Sequence, residues 1–118
     1  MAEAALCQVW GAPIPGREKQ ALNVYNDTMQ YWASLQQEGK IERFEVVVLA
    51  PSGGEVAGFL LARGTAEQMD SLRRSKEYQQ RTARVQLVAS HLSVSDAYVD
   101  EGLAQIMGQY QEVIAQAD

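Results

Sequence analysis

A chain of 118 residues, 47% hydrophobic and 21% charged, has the size and balance of one soluble domain spanning 1–118 with its own core. Its net charge of −5 argues against nonspecific nucleic-acid binding, which needs a basic face to neutralise phosphates. A single cysteine, Cys7, excludes an intrachain disulfide and a thiolate zinc site, and no apolar stretch approaches the roughly 20 residues of a membrane span.

The N-terminus, MAEAALCQVW, lacks the basic region and long apolar stretch of a signal peptide. A reduced, cytoplasmic protein is the expectation, with Cys7 a small buried hydrophobe. Residues 4–10, AALCQVW, read as a short strand closed by the loop Gly11-Ala12-Pro13-Ile14-Pro15-Gly16. That loop superficially echoes a phosphate-binding loop. However, Pro13 and Pro15 remove backbone donors, and Arg17 and Glu18 stand where Lys and Ser/Thr belong. A rigid strand-to-helix connection is the better reading.

From Arg17 to about Gln37, Leu22, Tyr25, Met29, Trp32 and Leu35 recur at helical spacing, and Gly39 suits the left-handed position that ends a helix. The hairpin from Ile41 to Arg63 follows, and its strands are apolar on both faces. Phe44, Val46 and Val48 lie on one face of the first strand and Val47 and Leu49 on the other; the return strand alternates Leu60 with Phe59 and Leu61. A half-solvated antiparallel strand would alternate apolar and polar residues, so this sheet needs cover on two sides.

Thr65-Ala66-Glu67-Gln68 is a capping-box signature that opens a second helix, with a restart or bend at Ser75–Tyr78 and a fading pattern by Arg84. Arg73, Arg74, Arg81 and Arg84 are interspersed with Glu67, Asp70 and Glu77, as on a solvated helix face. Residues 85–95, VQLVASHLSVS, read as a fourth strand. Asp100 then caps a last helix with Leu103, Ile106, Met107, Tyr110, Val113 and Ile114 in one apolar stripe.

The order β-α-β-β-α-β plus a C-terminal helix is the ferredoxin-like α+β arrangement with an antiparallel sheet. Right-handed crossovers place the main helices on one sheet face and leave the other open. An exposed face of Val, Leu and Phe is an association site, most economically for a second copy of the chain. A homodimer through the open sheet face is therefore expected, unless the last helix folds back over it.

The stretches VWGAPIPGRE, YWASLQQEGKIERFEVVVL, PSGGEVAGFLL and RGTAEQMDSLRRSKEYQ resemble an uncharacterised bacterial family of the dimeric α/β-barrel superfamily. The resemblance covers most of the chain and implies two ferredoxin-like protomers packed sheet against sheet. Relatives of this barrel type include cofactor-free monooxygenases, haem-degrading enzymes, isomerases and non-catalytic members, so the fold does not carry the function.

His91 is the only histidine; within the expected fourth strand it is a candidate general base, or a strand-end residue bonded to backbone or water. A pocket between the first helix and the sheet would be lined by Trp10, Tyr25, Met29 and Trp32, with Phe59 and His91 as additions. Arg43 and Glu45 share a strand face. They border a cavity with Gln8 or Trp10, lie at a solvated strand end, or pair across a dimer. No metal site or cofactor is expected, since the sequence has no GxGxxG, GxSxG or HExxH and one histidine is a poor case for zinc or haem. Two functions compete: an aromatic small-molecule pocket, serving cofactor-free oxidation or isomerisation, and a non-catalytic dimeric interaction or regulatory module.

Overall fold

The computed structural model describes residues 3–117 and contains four strands and four helices. In chain order they are β1 (Ala4–Trp10), α1 (Glu18–Gln37), β2 (Arg43–Val48), β3 (Gly58–Gly64), α2 (Ala66–Arg74), α3 (Lys76–Gln86), β4 (Ser93–Ala97) and α4 (Asp100–Gln116). The strands form one antiparallel sheet in the order β2-β3-β1-β4. This is the ferredoxin-like order, in which each crossover skips one strand.

Register assigns every sheet residue to a face. Leu6 pairs with Ala62 and Gln8 with Leu60, and these in turn oppose Phe44 and Val46. This even-numbered face is covered by α1, α2 and α3. Its core is Leu6, Tyr31, Trp32, Leu35, Ile41, Leu60, Ala62, Met69, Leu72 and Tyr78. Trp32 is fixed edge-on to Tyr78 and tilted against Phe44, with ring centroids 6.2 and 6.3 Å apart.

The odd-numbered face carries Ala5, Cys7, Val9, Arg43, Glu45, Val47, Phe59, Leu61 and Arg63, and among the described residues no helix lies across it apart from the entry to α4. There Val99 packs on Ala5 with Leu61 and Ala97 alongside. Cys7 belongs to this face and is half-buried, so the expectation that it is a buried core residue does not hold.

The capping box forms in full: Gln68 N–H donates to Thr65 Oγ1 at 3.1 Å and Thr65 N–H to Gln68 Oε1 at 2.9 Å. Ser75 ends α2 in extended backbone and caps α3, accepting from Tyr78 N–H at 3.1 Å. The break expected near Ser75 is thus a clean division into two helices.

Two boundaries differ from the sequence reading. Residues 85–95 are not one strand: α3 continues to Gln86, Leu87 caps it in helical backbone, and β4 begins only at Ser93. Val85 and Val88, three apart, bury one side of the helix end rather than alternating across a sheet. His91, at φ 54°, is in left-handed backbone that a strand cannot accommodate. Asp100 is not a cap either. Val99, extended at φ −136° and ψ 157°, precedes α4, and no side chain caps its N-terminus.

Candidate functional site

The sheet and the first half of α1 diverge enough to leave a cavity of about 380 Å³ between them, closed at one end by the α3 terminus. Three segments make it. From the sheet come Gln8, Trp10, Val48 and Leu60; from α1 come Ala21, Leu22, Val24, Tyr25, Thr28 and Met29; from the end of α3 and beyond come Val85, Val88 and Ala89. On α1 the cavity residues recur at three and four, so one helix face is given to the site.

The mouth is built by a second small ladder. Gly11 N–H donates to Ser90 O at 2.7 Å, Ser90 N–H to Ala12 O at 3.0 Å, and Ile14 N–H to Val88 O at 2.9 Å. Pro13 bridges Ala89, and Arg17 Nη1 donates to Leu87 O at 3.2 Å. Gly11 is required here, because a Cβ would lie 2.8 Å from both Glu55 O and Ser90 Oγ. The proline-rich loop is thus a rigid rim for the cavity. Its prolines lack N–H groups and fix φ at about −65°: Pro13 makes the bridge to Ala89, and Pro15 lies in the turn that leads to α1.

Polar groups are few. Gln8 is buried, 5% exposed, and its Nε2 donates to Tyr78 Oη at 2.8 Å, which locks the carboxamide against the core. Thr28 Oγ1 donates to Val24 O at 2.7 Å, spending its proton inside the helix. Tyr25 and the Trp10 indole are half-buried on the lining, and Glu18 stands exposed at the mouth. Lys, Arg and His are absent from the lining residues. The cavity can therefore surround an apolar ring system and offer a few neutral hydrogen bonds to it.

Of the residues singled out in sequence, the structure brings Trp10, Tyr25 and Met29 together on this cavity. Trp32 lies deeper along α1, 1% exposed in the core, and does not line it. Phe59 is on the odd-numbered face, so it points to the opposite side of the sheet. His91 is exposed on the bend before β4 and is not a lining residue. Arg43 and Glu45 also occupy the odd face, whereas Gln8 and Trp10 occupy the even one, so the four do not border one cavity. Glu45 Oε1 instead accepts from Arg63 Nη1 at 2.6 Å within the chain. Among the described residues, no group of three or more His, Cys, Asp or Glu is placed to hold a metal ion.

Outside the cavity, burial pushes the Tyr31 hydroxyl above its ordinary phenol range, with a Ser75 hydrogen bond opposing the shift. The Arg81 guanidinium lies 4.6 Å from the centre of its ring. This is packing on the α1–α3 seam, and it does not reach the cavity.

An antiparallel sheet in this order, helices on one face and a cavity beneath α1, defines a ferredoxin-like α+β protein. Solved structures share it. A dimeric ferredoxin-like protein of unknown function from Jannaschia sp. CCS1 aligns with a TM-score of 0.64 at 13% identity, over 81% of this chain and 99% of that one. A dimeric protein of unknown function and ferredoxin-like fold from Bacteroides fragilis NCTC 9343 gives 0.61 at 12% identity, over 81% and 96%. SnoaB, a cofactor-independent oxygenase from Streptomyces nogalater, gives 0.61 at 8% identity, over 84% and 94%. No family model and no curated protein matches the chain. The likeness is one of fold, and it bears out the ferredoxin-like arrangement expected from the sequence.

Proposed function

We propose that the cavity under α1 binds a small, neutral, aromatic molecule. The observation that carries this is the pairing of an apolar lining of about 380 Å³ with the anchored Gln8 carboxamide. Its volume falls in the range of ordinary ligand sites, about 300–1,000 Å³. Burying an aromatic face against Leu22, Val24, Met29, Leu60 and Val88 supplies the affinity. Gln8, Tyr25 and the Trp10 N–H supply orientation. With no cationic side chain on the lining, a carboxylate ligand would lose its hydration without a counter-charge.

One structural neighbour is a cofactor-independent oxygenase, and cofactor-free oxidation or isomerisation of the bound aromatic is the reaction class this proposal extends to. In that case Tyr25 and Gln8 are the groups within the cavity, with Glu18 at its entrance. The second reading, a non-catalytic dimeric module, is favoured by the same lining, which holds no histidine, cysteine or lysine. Both readings include a homodimer through the odd-numbered sheet face. Its support is the half-buried row of Val9, Val47, Phe59 and Leu61, which no helix of this chain lies across.

Titration with 1-naphthol, followed by Trp10 fluorescence, tests the cavity. Saturable binding that is abolished by Ala21→Phe, which fills the space, supports it. Absence of binding, or binding indifferent to Ala21→Phe, overturns it. Oxygen uptake with 1-naphthol then separates an oxygenase from a simple binder.

A further inference from the structure

Helix α4 lies outside the β-α-β-β-α-β order. Within α4, Gly102 is the one buried residue, seated where a Cβ would strike the carbonyl of Glu3. Beyond it Gln105, Ile106 and Gln109 face Met69, Asp70 and Arg73 of α2 across a cleft, and the other side of the helix is uncovered. Leu103, Met107, Tyr110 and Ile114 are 48%, 47%, 59% and 53% exposed. Their spacing of four, three and four makes one continuous apolar stripe.

Where the helix starts says what that stripe meets. Val99 lies on Ala5, Leu61 and Ala97, all on the odd-numbered face, so α4 leaves from the side of the sheet that the proposed dimer buries. Charge agrees. Helix α4 has carboxylates at Asp100, Glu101 and Glu112 and no Lys or Arg, whereas Asp96 on β4 is already paired with Arg73 at 2.7 Å. The odd face carries Arg43 and Arg63 against Glu45, and Arg63 Nε is buried with no hydrogen-bond partner.

We propose that α4 is an exchange arm: in the homodimer it lies against the second copy and extends the sheet-to-sheet contact with its Leu103–Met107–Tyr110–Ile114 stripe. This rests on the reading that two copies pair through the odd face. The sheet supplies the centre of the interface and the two arms supply its margins, each acidic arm facing the other copy's arginines. The sheet contact is then common to the fold, while the arm makes the pairing specific to copies that carry it.

Sedimentation velocity from nanomolar to micromolar concentration tests this, comparing wild type with Leu103→Glu and with Tyr110→Glu. Gln105→Glu, on the opposite side of α4, is the control, and circular dichroism verifies that each variant remains folded. Every arm occurs twice in the dimer, so each stripe variant is expected to weaken dimerisation at least about 100-fold while the control does not. A wild-type dimer whose affinity the stripe variants leave unchanged overturns the arm and leaves the sheet pairing standing. A monomer at every concentration overturns the sheet pairing itself, and the arm with it. Loss of thermal stability at all concentrations, with association unaltered, would also overturn the arm, since it would place α4 over its own sheet.

Discussion

The hydrogen bond from Gln8 to Tyr78 joins the cavity to the core, and Tyr78→Phe isolates it. Both residues are 5% exposed, and the bond is 2.8 Å. Phenylalanine preserves the edge contact with Trp32 at 6.2 Å, so packing changes little. What is lost is the acceptor for a buried N–H, which costs about 1–3 kcal/mol, toward the lower figure where cavity water reaches the amide. For a chain of this length that lowers Tm by roughly 4 °C per kcal/mol. Gln8→Met strands the tyrosine hydroxyl in the same way. Removing both polar groups leaves nothing unpaired, so the double variant should cost less than the sum of the singles, with a coupling of about 0.5–3 kcal/mol. Urea unfolding followed by tryptophan fluorescence measures all four corners of the cycle, at one protein concentration so that self-association does not enter. A Tyr78→Phe change within about 0.5 kcal/mol of wild type, with additive singles, would refute the reasoning.

Thr65→Ala removes the oxygen that accepts from Gln68 N–H, and should cost about 1 kcal/mol in the same unfolding assay. Gly58→Ala should perturb the site from below: a Cβ there would lie 2.7 Å from Val47 O and 2.9 Å from the Trp10 ring, so Trp10 must shift and 1-naphthol affinity should fall. The Tyr31 hydroxyl titrates higher folded than unfolded, so the folded state holds its proton longer as pH rises. Its contribution is intact below pH about 10, the unfolded value, and is lost as pH climbs through the folded one. Stability above pH about 10 should therefore fall more steeply in wild type than in Tyr31→Phe, read from unfolding midpoints along a pH series.

Elements with strong local signals were legible in the sequence. The strand at residues 4–10, the helix to Gln37, the capping box at Thr65 and the two-faced hairpin all occur where local chemistry puts them. Residues 85–95 were not, for a physical reason. A helix end that buries Val85 and Val88, followed by a left-handed His91, spells the same alternation of apolar and polar residues as a half-buried strand. That boundary error carried His91 to a place it does not occupy. It also hid the contribution of Val85, Val88 and Ala89 to the cavity, which no local signal would have revealed.

Strand parity explains the remaining differences at the site. Phe59 and Trp10 look equivalent as aromatics beside an expected pocket, but β1 and β3 pair Val9 with Phe59 and Trp10 with Gly58. One residue of register therefore sends Phe59 to the open face and keeps Trp10 under α1. Gly58 is the consequence: with no side chain opposite Trp10, the indole can lie flat across β3 and wall the cavity. The same parity separates Gln8 from Arg43 and Glu45. Neutral polar groups fall on the face that lines the cavity, where a buried charge would be costly. The ion pair falls on the face left open to a partner, and an arginine with an unsatisfied Nε is tolerable there if a second copy completes it. On the proposed function the two faces of one short sheet divide the work, ligand on one side and assembly on the other, so substitutions on even- and odd-numbered strand residues test the two halves of the proposal separately.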